Sequence, residues 1–100
     1  MIEVTRRIIG IIHSIPPGKV ASYRDVARAA GLFNGARQVA RILHSMSETQ
    51  KLPWHRIIRS DGHIALPAGD GGDLQAALLR AEGVRVSKTL RVDMSQYSFY

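Results

Sequence analysis

The residues best suited to chemistry stand together in one corner of the chain, Pro53-Trp54-His55-Arg56. Trp54 is the only tryptophan, and an imidazole and a guanidinium follow it. Proline fixes its own φ and biases the preceding residue towards extended backbone, so no helix is expected to run through Leu52-Pro53. Trp54 and His55 therefore lie on a rigid corner, where binding or catalytic groups are common. A buried tryptophan beside a hydrogen-bonded core histidine is the structural alternative.

The chain has no cysteine, which excludes several kinds of chemistry. Without a thiol there is no disulfide, no thiolate metal ligand and no cysteine nucleophile. The histidines do not have the paired spacing of zinc ligands. We therefore expect neither a metal nor a cofactor. The four histidines are His13, His44, His55 and His63.

The charge of the chain points to a polyanionic partner. Fourteen Lys and Arg residues outnumber eight acidic residues, which gives a net charge of +6 and a pI near 10.5. Eleven of the fourteen are arginines, the side chain suited to bidentate phosphate contacts and to stacking. Nucleic acid is the usual partner of such a domain. A basic surface that serves only solubility is the alternative.

Length and composition predict one globular domain over residues 1–100, with a single modest core. Hydrophobic residues make up 45% and charged residues 22%, as in ordinary soluble proteins. No apolar run is long enough to span a membrane, and the apolar residues 8–12 are too few for a signal peptide. We expect a monomer in the cytoplasm that is associated with the nucleoid when it is bound to DNA.

Local patterns predict two helices in the first third of the chain. Apolar residues at helical spacing predict a helix over residues 5–15, which a proline pair ends. Ser22, with Asp25 three residues later, has the pattern of a helix N-cap. Gly31 is expected to close the short helix that Ser22 begins.

A third helix is predicted over residues 36–45, directly after a tight turn. Its apolar residues share one face, and the other face carries Arg37, Arg41 and His44. Two short helices joined by a turn, the second with a basic face, indicate a helix-turn-helix motif. We therefore favour contact with DNA over a merely solvated helix face.

The second half of the chain predicts a small β element and a last helix. Ile57-Ile58 and residues 63–66 flank the turn Asp61-Gly62, a β-hairpin pattern that would form the wing of a winged helix. Asp73 is expected to cap a helix whose inward residues are Leu74, Ala77, Leu78 and Ala81. The fold of residues 84–100 stays open. The predicted fold class is mainly α with a small β wing.

Four motifs in this order resemble the DNA-binding domain of the O6-alkylguanine-DNA alkyltransferases. They are Pro16-x-Gly18-x-Val20-x-Ser22-Tyr23, Ala36-Arg37, Pro53-Trp54-His55-Arg56-Ile57-Ile58 and Leu78-Leu79-x-x-Glu82-Gly83. The reactive motif of that family is Pro-Cys-His-Arg, and Trp54 stands at its cysteine position. This replacement marks the alkyltransferase-like proteins, so the resemblance implies a winged helix-turn-helix domain like the transferase C-terminal domain.

The resemblance implies roles for individual residues. Arg37 matches the arginine finger, which fills the gap that a flipped base leaves in the stack. Tyr23 matches the residue that presses on the phosphate of the flipped nucleotide. His55 and Glu82 match the pair that activates the transferase thiol, so without a thiol we expect them to form a structural hydrogen bond. The expected lesion pocket contains Trp54, Tyr23, His55 and Pro53.

Two departures from the family pattern alter this pocket. Met46 lies where transferases usually have an Asn-Pro hinge, and the segment 66–70, which includes Pro67, lacks the tyrosine that lines the transferase pocket. Both changes would widen the pocket, and the sequence does not determine which residues line it. The candidate contacts to the DNA backbone are Arg41, His44, Lys19 and Ser22.

The implied function is binding of double-stranded DNA that contains O6-alkylguanine. The damaged nucleotide would be flipped into the pocket without alkyl transfer, since an indole cannot displace an alkyl group as a thiolate does. The resemblance implies that nucleotide excision repair proteins then act on the site. Two alternatives stay open, a sequence-specific winged-helix regulator and an active alkyltransferase with a non-cysteine acceptor.

Overall fold

A computed structural model describes residues 2–100, so Met1 of the predicted single domain lies outside the described residues. The first helix, α1, is Glu3–Ser14. It begins slightly earlier than the apolar pattern predicts, and it buries Ile8, Ile9 and Ile12. Ile8 and Ile9 are neighbours in the sequence, and both are buried. The inward side of α1 is therefore wider than a strict three-and-four spacing indicates.

The predicted helix-turn-helix is present. Ser22 caps α2, Tyr23–Ala29, because its Oγ accepts a hydrogen bond from the N–H of Asp25 at 3.0 Å. Gly31 follows α2 with a φ of +83°, a conformation that glycine adopts without strain. The next helix, α3, is Ala36–Met46, and it packs against α2. Its buried residues are Val39 and Ile42, and Arg37, Arg41 and His44 are exposed as predicted.

The predicted β-hairpin is wrong, although Ile57-Ile58 is a strand. Strand β2, Ile57–Ile58, pairs in parallel with β1, Ala21–Ser22, so that Ala21 faces Ile57 and Ser22 faces Ile58. A tight turn does come after β2, with the N–H of Arg59 donating to the carbonyl of His63. Beyond it the chain pairs with the tail, because the N–H of Ile64 donates to the carbonyl of Leu90 at 2.9 Å. A local turn pattern cannot disclose these distant partners.

The buried apolar residues form two clusters, so the expectation of a single core is also wrong. One cluster joins α1, α2 and α3, and the other joins the last long helix to the C-terminal tail. Strand β2 lies between them, with Ile57 in the first cluster and Ile58 in the second. Successive residues of a strand point to opposite faces, so this strand contributes to both clusters.

The last long helix, α4, is Gly72–Ala81, and its inward face differs from the prediction. Gln75, Ala76 and Leu79 are buried, whereas Leu74 is 56% exposed. The Asp73 side chain makes no capping hydrogen bond, and the N-cap residue is Gly71. The apolar pattern was misleading because Gln75, a polar residue whose side chain donates hydrogen bonds, lies on the buried face. The other positions wrongly expected to point inward are Ala77 and Ala81, which are exposed, and Leu78, which is half-buried.

The C-terminal tail packs back onto the domain and ends in a short helix, α5, Met94–Tyr97. Val84 and Val92 are buried in the second cluster. The N–H of Val20 donates to the carbonyl of Tyr97 at 3.0 Å, and the N–H of Phe99 donates to the carbonyl of Val20 at 2.8 Å. These bonds hold the tail beside β1. Within residues 2–100, no helix has the length and apolar character needed to cross a bilayer.

Candidate nucleic-acid interface

The corner that comes after α3 is a single 3₁₀ turn, Trp54–Arg56. The N–H of Trp54 donates to the carbonyl of Leu52 at 2.8 Å, and the N–H of Arg56 donates to the carbonyl of Pro53 at 3.0 Å. The rings of Trp54 and His55 are nearly perpendicular, at 86°, with centroids 6.1 Å apart. The two rings therefore make a T-shaped, edge-to-face contact.

Trp54 lines an open, mostly apolar cavity of about 420 Å³. Binding sites for small molecules and bases are typically concave, apolar and of this order of size. The cavity lies between α3, the 3₁₀ turn and α4, and Tyr23 from the start of α2 also lines it. Its walls are formed by Tyr23, Ala40, Leu43, His44, Ser47, Trp54, Leu66 and Gln75.

Two residues predicted for this pocket, His55 and Pro53, do not line it. His55 is directed to Glu82 instead, with its Nε2 2.8 Å from Oε2 of that residue. Pro53 precedes the 3₁₀ turn and supplies the carbonyl that stabilises it. The expected pocket therefore keeps Trp54 and Tyr23 and loses the other two residues.

Glu82 forms a hydrogen-bonded hub behind the corner. Its carboxylate accepts from His55, from Nη2 of Arg56 at 2.7 Å and from the backbone N–H of Gly18 at 3.1 Å. Arg56 also donates from Nη1 to the carbonyl of Ile15 at 2.9 Å. The hub thus ties the corner to the segment after α1 and to the end of α4. Arg56 is occupied here and does not join the exposed arginines.

The electrostatics of the hub keep Glu82 ionised. Burial alone would raise the pKa of this carboxyl group, but hydrogen bonds from Arg56, His55 and the N–H of Gly18 lower it from an ordinary 4.5 to about 2. The side chains of Glu82 and Arg56 are only 16% and 14% exposed. At neutral pH the hub is therefore a partly buried ion pair with most of its hydrogen bonds satisfied.

Tyr23 contributes a phenol to the cavity wall. It is half-buried, and burial raises the pKa of Tyr23 above the ordinary value of 10. The hydroxyl group therefore stays protonated at neutral pH and can donate a hydrogen bond. A hydroxyl donor on the wall of a cavity is suited to contact phosphate or base atoms.

An unpaired basic surface lies on α2 and α3, the helices that also contribute residues to the cavity wall. Arg37 begins α3 and Arg41 comes one turn later, both exposed. Arg24 and Arg28 on α2 are also exposed, and none of these four arginines has an acidic partner within salt-bridge distance in residues 2–100. Charges that are not neutralised internally attract a polyanion.

The remaining predicted backbone contacts occupy different positions. Lys19 is exposed, and His44 lies on the cavity wall. The structure contradicts the prediction for Ser22, which is 1% exposed and whose hydroxyl group already caps α2. No group of three or more His, Asp or Glu side chains within the described chain is placed to hold a metal ion.

Sequence reasoning missed several residues of this surface. Leu66 and Gln75 line the cavity, and Phe33, in the turn before α3, is 98% exposed beside Arg37. Gln75 gave no sequence signal, because the apolar pattern predicted a different inward face for α4. The turn residues around Phe33 gave no signal either, since an exposed aromatic cannot be told from a buried one by type alone.

Comparisons with known proteins agree with this geometry. Residues 3–84 match the family model described as 6-O-methylguanine DNA methyltransferase, DNA binding domain. The chain is 40% identical over 93 residues to a DNA base-flipping protein of Vibrio parahaemolyticus, which covers 93% of this chain and 92% of that protein. It is 33% identical over 90 residues to alkyltransferase-like protein 1 of Schizosaccharomyces pombe, covering 89% and 83%.

The fold comparison gives the same result. The crystal structure of S. pombe Atl1 in complex with damaged DNA containing O6-carboxymethylguanine superposes with a TM-score of 0.88 at 30% identity. This match covers 100% of the present chain and 97% of the other. The predicted likeness to the alkyltransferase DNA-binding domain is thereby confirmed, although the predicted hairpin within it was not found.

Proposed function

Since the chain belongs to the family of 6-O-methylguanine DNA methyltransferase DNA-binding domains, we propose that it binds double-stranded DNA containing O6-alkylguanine. The damaged nucleotide is flipped out of the duplex into the cavity beside Trp54 and held there without alkyl transfer. One observation carries the proposal: Trp54 and Tyr23 line a cavity of about 420 Å³, and the helices α2 and α3 that contribute to its wall carry exposed arginines with no acidic partner within residues 2–100.

In such a site, the free-energy cost of flipping the nucleotide and the gain from its aromatic contact are of similar size. Flipping a nucleotide costs a few kcal/mol, and less when the base is already poorly paired by its lesion. Contact between a base and an aromatic side chain is worth about 1–3 kcal/mol. Trp54 can therefore offset much of the flipping cost for a lesion, and less of it for a normally paired guanine. Selectivity follows from this difference.

Binding without transfer follows from the residues at the corner. Trp54 stands where the family motif has cysteine, and the chain contains no cysteine that could take over that role. An indole is not a nucleophile of the kind that alkyl transfer requires. The His55–Glu82 pair, which would activate a thiol, is held with Arg56 in the hub behind the corner. We propose that its role is structural.

The basic helix supplies the remaining contacts. Arg37, exposed at the start of α3, acts as the arginine finger: its planar guanidinium fills the stack and hydrogen-bonds the orphaned partner base. Arg41 and Lys19 bind phosphates, which sets affinity and register but not specificity. His44, on the cavity wall, contacts the backbone of the flipped nucleotide.

A protein that holds a lesion without repairing it requires a second activity to remove the damage. We propose that nucleotide excision repair proteins supply it, acting on the marked site. The chain works as a monomer in the cytoplasm and is associated with the nucleoid when it is on DNA. Binding of the lesion is then reversible, because no covalent bond to it is formed.

Titration of two duplexes that differ only in O6-methylguanine tests this function. At fixed salt we expect about 10-fold or greater preference for the lesion, the effect of roughly 1.4 kcal/mol or more of selective stacking. Fluorescence anisotropy of labelled duplexes gives both affinities. Equal affinities would contradict the proposal, and a selected consensus sequence bound regardless of alkylation would establish a regulator in its place.

A further inference from the structure

Phe33 is an exposed aromatic residue to which the proposed function assigns no role. It lies in the turn between α2 and α3, two residues before Gly35, the N-cap residue of α3. It is 98% exposed, the largest value among the exposed large apolar residues in the described part of the chain. A ring left almost wholly in water contributes little to the stability of the fold. Single exposed apolar residues are common, so a role for Phe33 depends on its surroundings.

The turn that carries Phe33 is anchored on both sides of the ring. Before it, Leu32 packs against the first core cluster, and its N–H donates to the carbonyl of Ala27 at 2.9 Å. After it, Gly35 is buried so close to Leu32 that an added Cβ would lie 2.6 Å from the Cδ1 atom of Leu32. The backbone on either side is therefore held in place, and the ring is presented to the outside by a fixed turn.

Arginines surround the exposed ring. Phe33 borders one groove of about 570 Å³ with Arg24 and Arg37, and a smaller one of about 270 Å³ with Arg24 and Arg28. No Asp or Glu of the described chain lines either groove, and the three arginines have no acidic partner within residues 2–100. This surface favours a partner that combines negative charge with apolar faces. DNA has both, in its phosphates and in the faces of its bases.

An acidic protein segment can also combine these properties, but the position of Arg37 favours DNA. Phe33 and Arg37 are four positions apart and border the same groove, so they are presented to the same partner. In the proposed function Arg37 enters the duplex at the gap that the flipped nucleotide leaves. The base pairs beside that gap are then within reach of Phe33.

We propose that Phe33 inserts between base pairs next to the flipped nucleotide and unstacks that step. This inference rests on the proposed function and adds a second point of insertion beside Arg37. Apolar side chains, phenylalanine among them, act as such wedges in proteins that kink DNA. Insertion buries the ring that is exposed in the free protein, and this burial offsets part of the cost of unstacking. A phenyl ring forms no hydrogen bonds with base edges, so the wedge opens the duplex without reading its sequence.

2-Aminopurine placed beside the lesion tests the wedge, because stacking quenches its fluorescence and unstacking restores it. Two duplexes carry it on the 5′ or the 3′ side of O6-methylguanine. With saturating unaltered protein we expect the emission to rise in at least one of them, and in Phe33→Ala we expect that rise to be lost. The affinity of Phe33→Ala for the lesion duplex should fall about 5-fold or more, as when one contact between a base and an aromatic ring is removed.

Phe99→Ala is the matched control. Phe99 is also an exposed aromatic residue, at 42%, and it borders neither groove. This variant should keep both the rise in emission and the affinity. Phe33→Leu, which keeps an apolar wedge, should retain part of the rise. Thermal unfolding of Phe33→Ala should match that of the unaltered protein, because the ring is exposed.

The outcomes separate the wedge from flipping. Fluorescence of Trp54 at saturation reports whether the cavity is occupied, and it should still change in Phe33→Ala. If the Trp54 and 2-aminopurine signals disappear together, the rise came from flipping and the inference is wrong. No rise with the unaltered protein at either position would also overturn it.

An unchanged rise and affinity in Phe33→Ala would contradict the inference and favour an acidic protein partner for this surface. Equal affinities of the unaltered protein for O6-methylguanine and guanine duplexes would instead overturn the proposed function, and the inference with it. That comparison needs neither the variant nor 2-aminopurine, so the two failures are distinguishable.

Discussion

Replacing Glu82 with alanine should lower the free energy of unfolding by about 3 kcal/mol, because it leaves Arg56 partly buried without its carboxylate. The variant also deprives His55 and the N–H of Gly18 of their acceptor. For a domain of this size the loss corresponds to a fall in Tm of roughly 10–20 °C. Urea denaturation followed by circular dichroism measures it.

Glu3→Ala provides the matched control. Glu3 also forms an ion pair, with Arg7, but the nearest atoms are 3.9 Å apart and the side chains are 72% and 51% exposed. We expect a loss below about 1 kcal/mol, as for exposed pairs in general. If the two variants were equally stable, Glu82 would not be the hub that the geometry indicates.

Acid should also lower the free energy of unfolding of the unaltered protein. The pKa of Glu82 is lowered to about 2 in the folded state, against 4.5 for the ordinary group. A carboxyl group with a depressed folded-state pKa stabilises the fold above its unfolded pKa and loses that contribution as the pH falls through its folded pKa. Stability should therefore fall between about pH 4.5 and pH 2, by at most roughly 3 kcal/mol. Over this range Glu82→Ala should show a flatter curve.

Arg37→Ala should weaken binding to O6-methylguanine DNA by roughly 10-fold or more, as expected when a base contact worth about 1–3 kcal/mol is removed. Arg37 is exposed at the first turn of α3 and has no acidic partner in residues 2–100. Undamaged DNA should also bind less well, through the lost charge. The loss should be smaller there, since no gap in the stack needs to be filled.

Arg41→Ala is the control on the same helix face. If it neutralises one phosphate, it should weaken both duplexes about equally and reduce the slope of log K against log salt by at most ~0.9. Anisotropy titrations at several salt concentrations separate the two arginines. Unchanged lesion binding by Arg37→Ala would show that the assignment of the finger is wrong.

Features governed by neighbouring residues could be predicted from the sequence. The cap of Ser22 on Asp25 and the exposed basic face of α3 depend on contacts within a few positions, so local patterns sufficed. The partner of Ile57–Ile58 could not be found in this way, because β1 lies more than thirty residues earlier. The turn at Asp61-Gly62 was recognised, but the chain beyond that turn pairs with the tail.

In the candidate site, too, some residues could be identified from the sequence and others could not. Family motifs named Tyr23 and Trp54, and the structure brings both to one cavity. They also named His55 for the pocket, but the 3₁₀ turn directs it to Glu82, a distinction of side-chain direction that residue order does not contain. Gln75 was missed because its two hydrogen bonds join α4 to residues eighteen and twenty positions earlier.

The proposed function requires that the cavity holds an alkylated guanine and that the protein does not accept the alkyl group. The intact masses of protein and DNA after incubation together test it most directly, with fluorescence of Trp54, the only tryptophan, as the report of occupancy. We expect the fluorescence to change on binding and to recover on competition, while the protein stays at 11.0 kDa and the DNA keeps its lesion. A protein heavier by one alkyl group, with guanine restored in the DNA, would contradict the account.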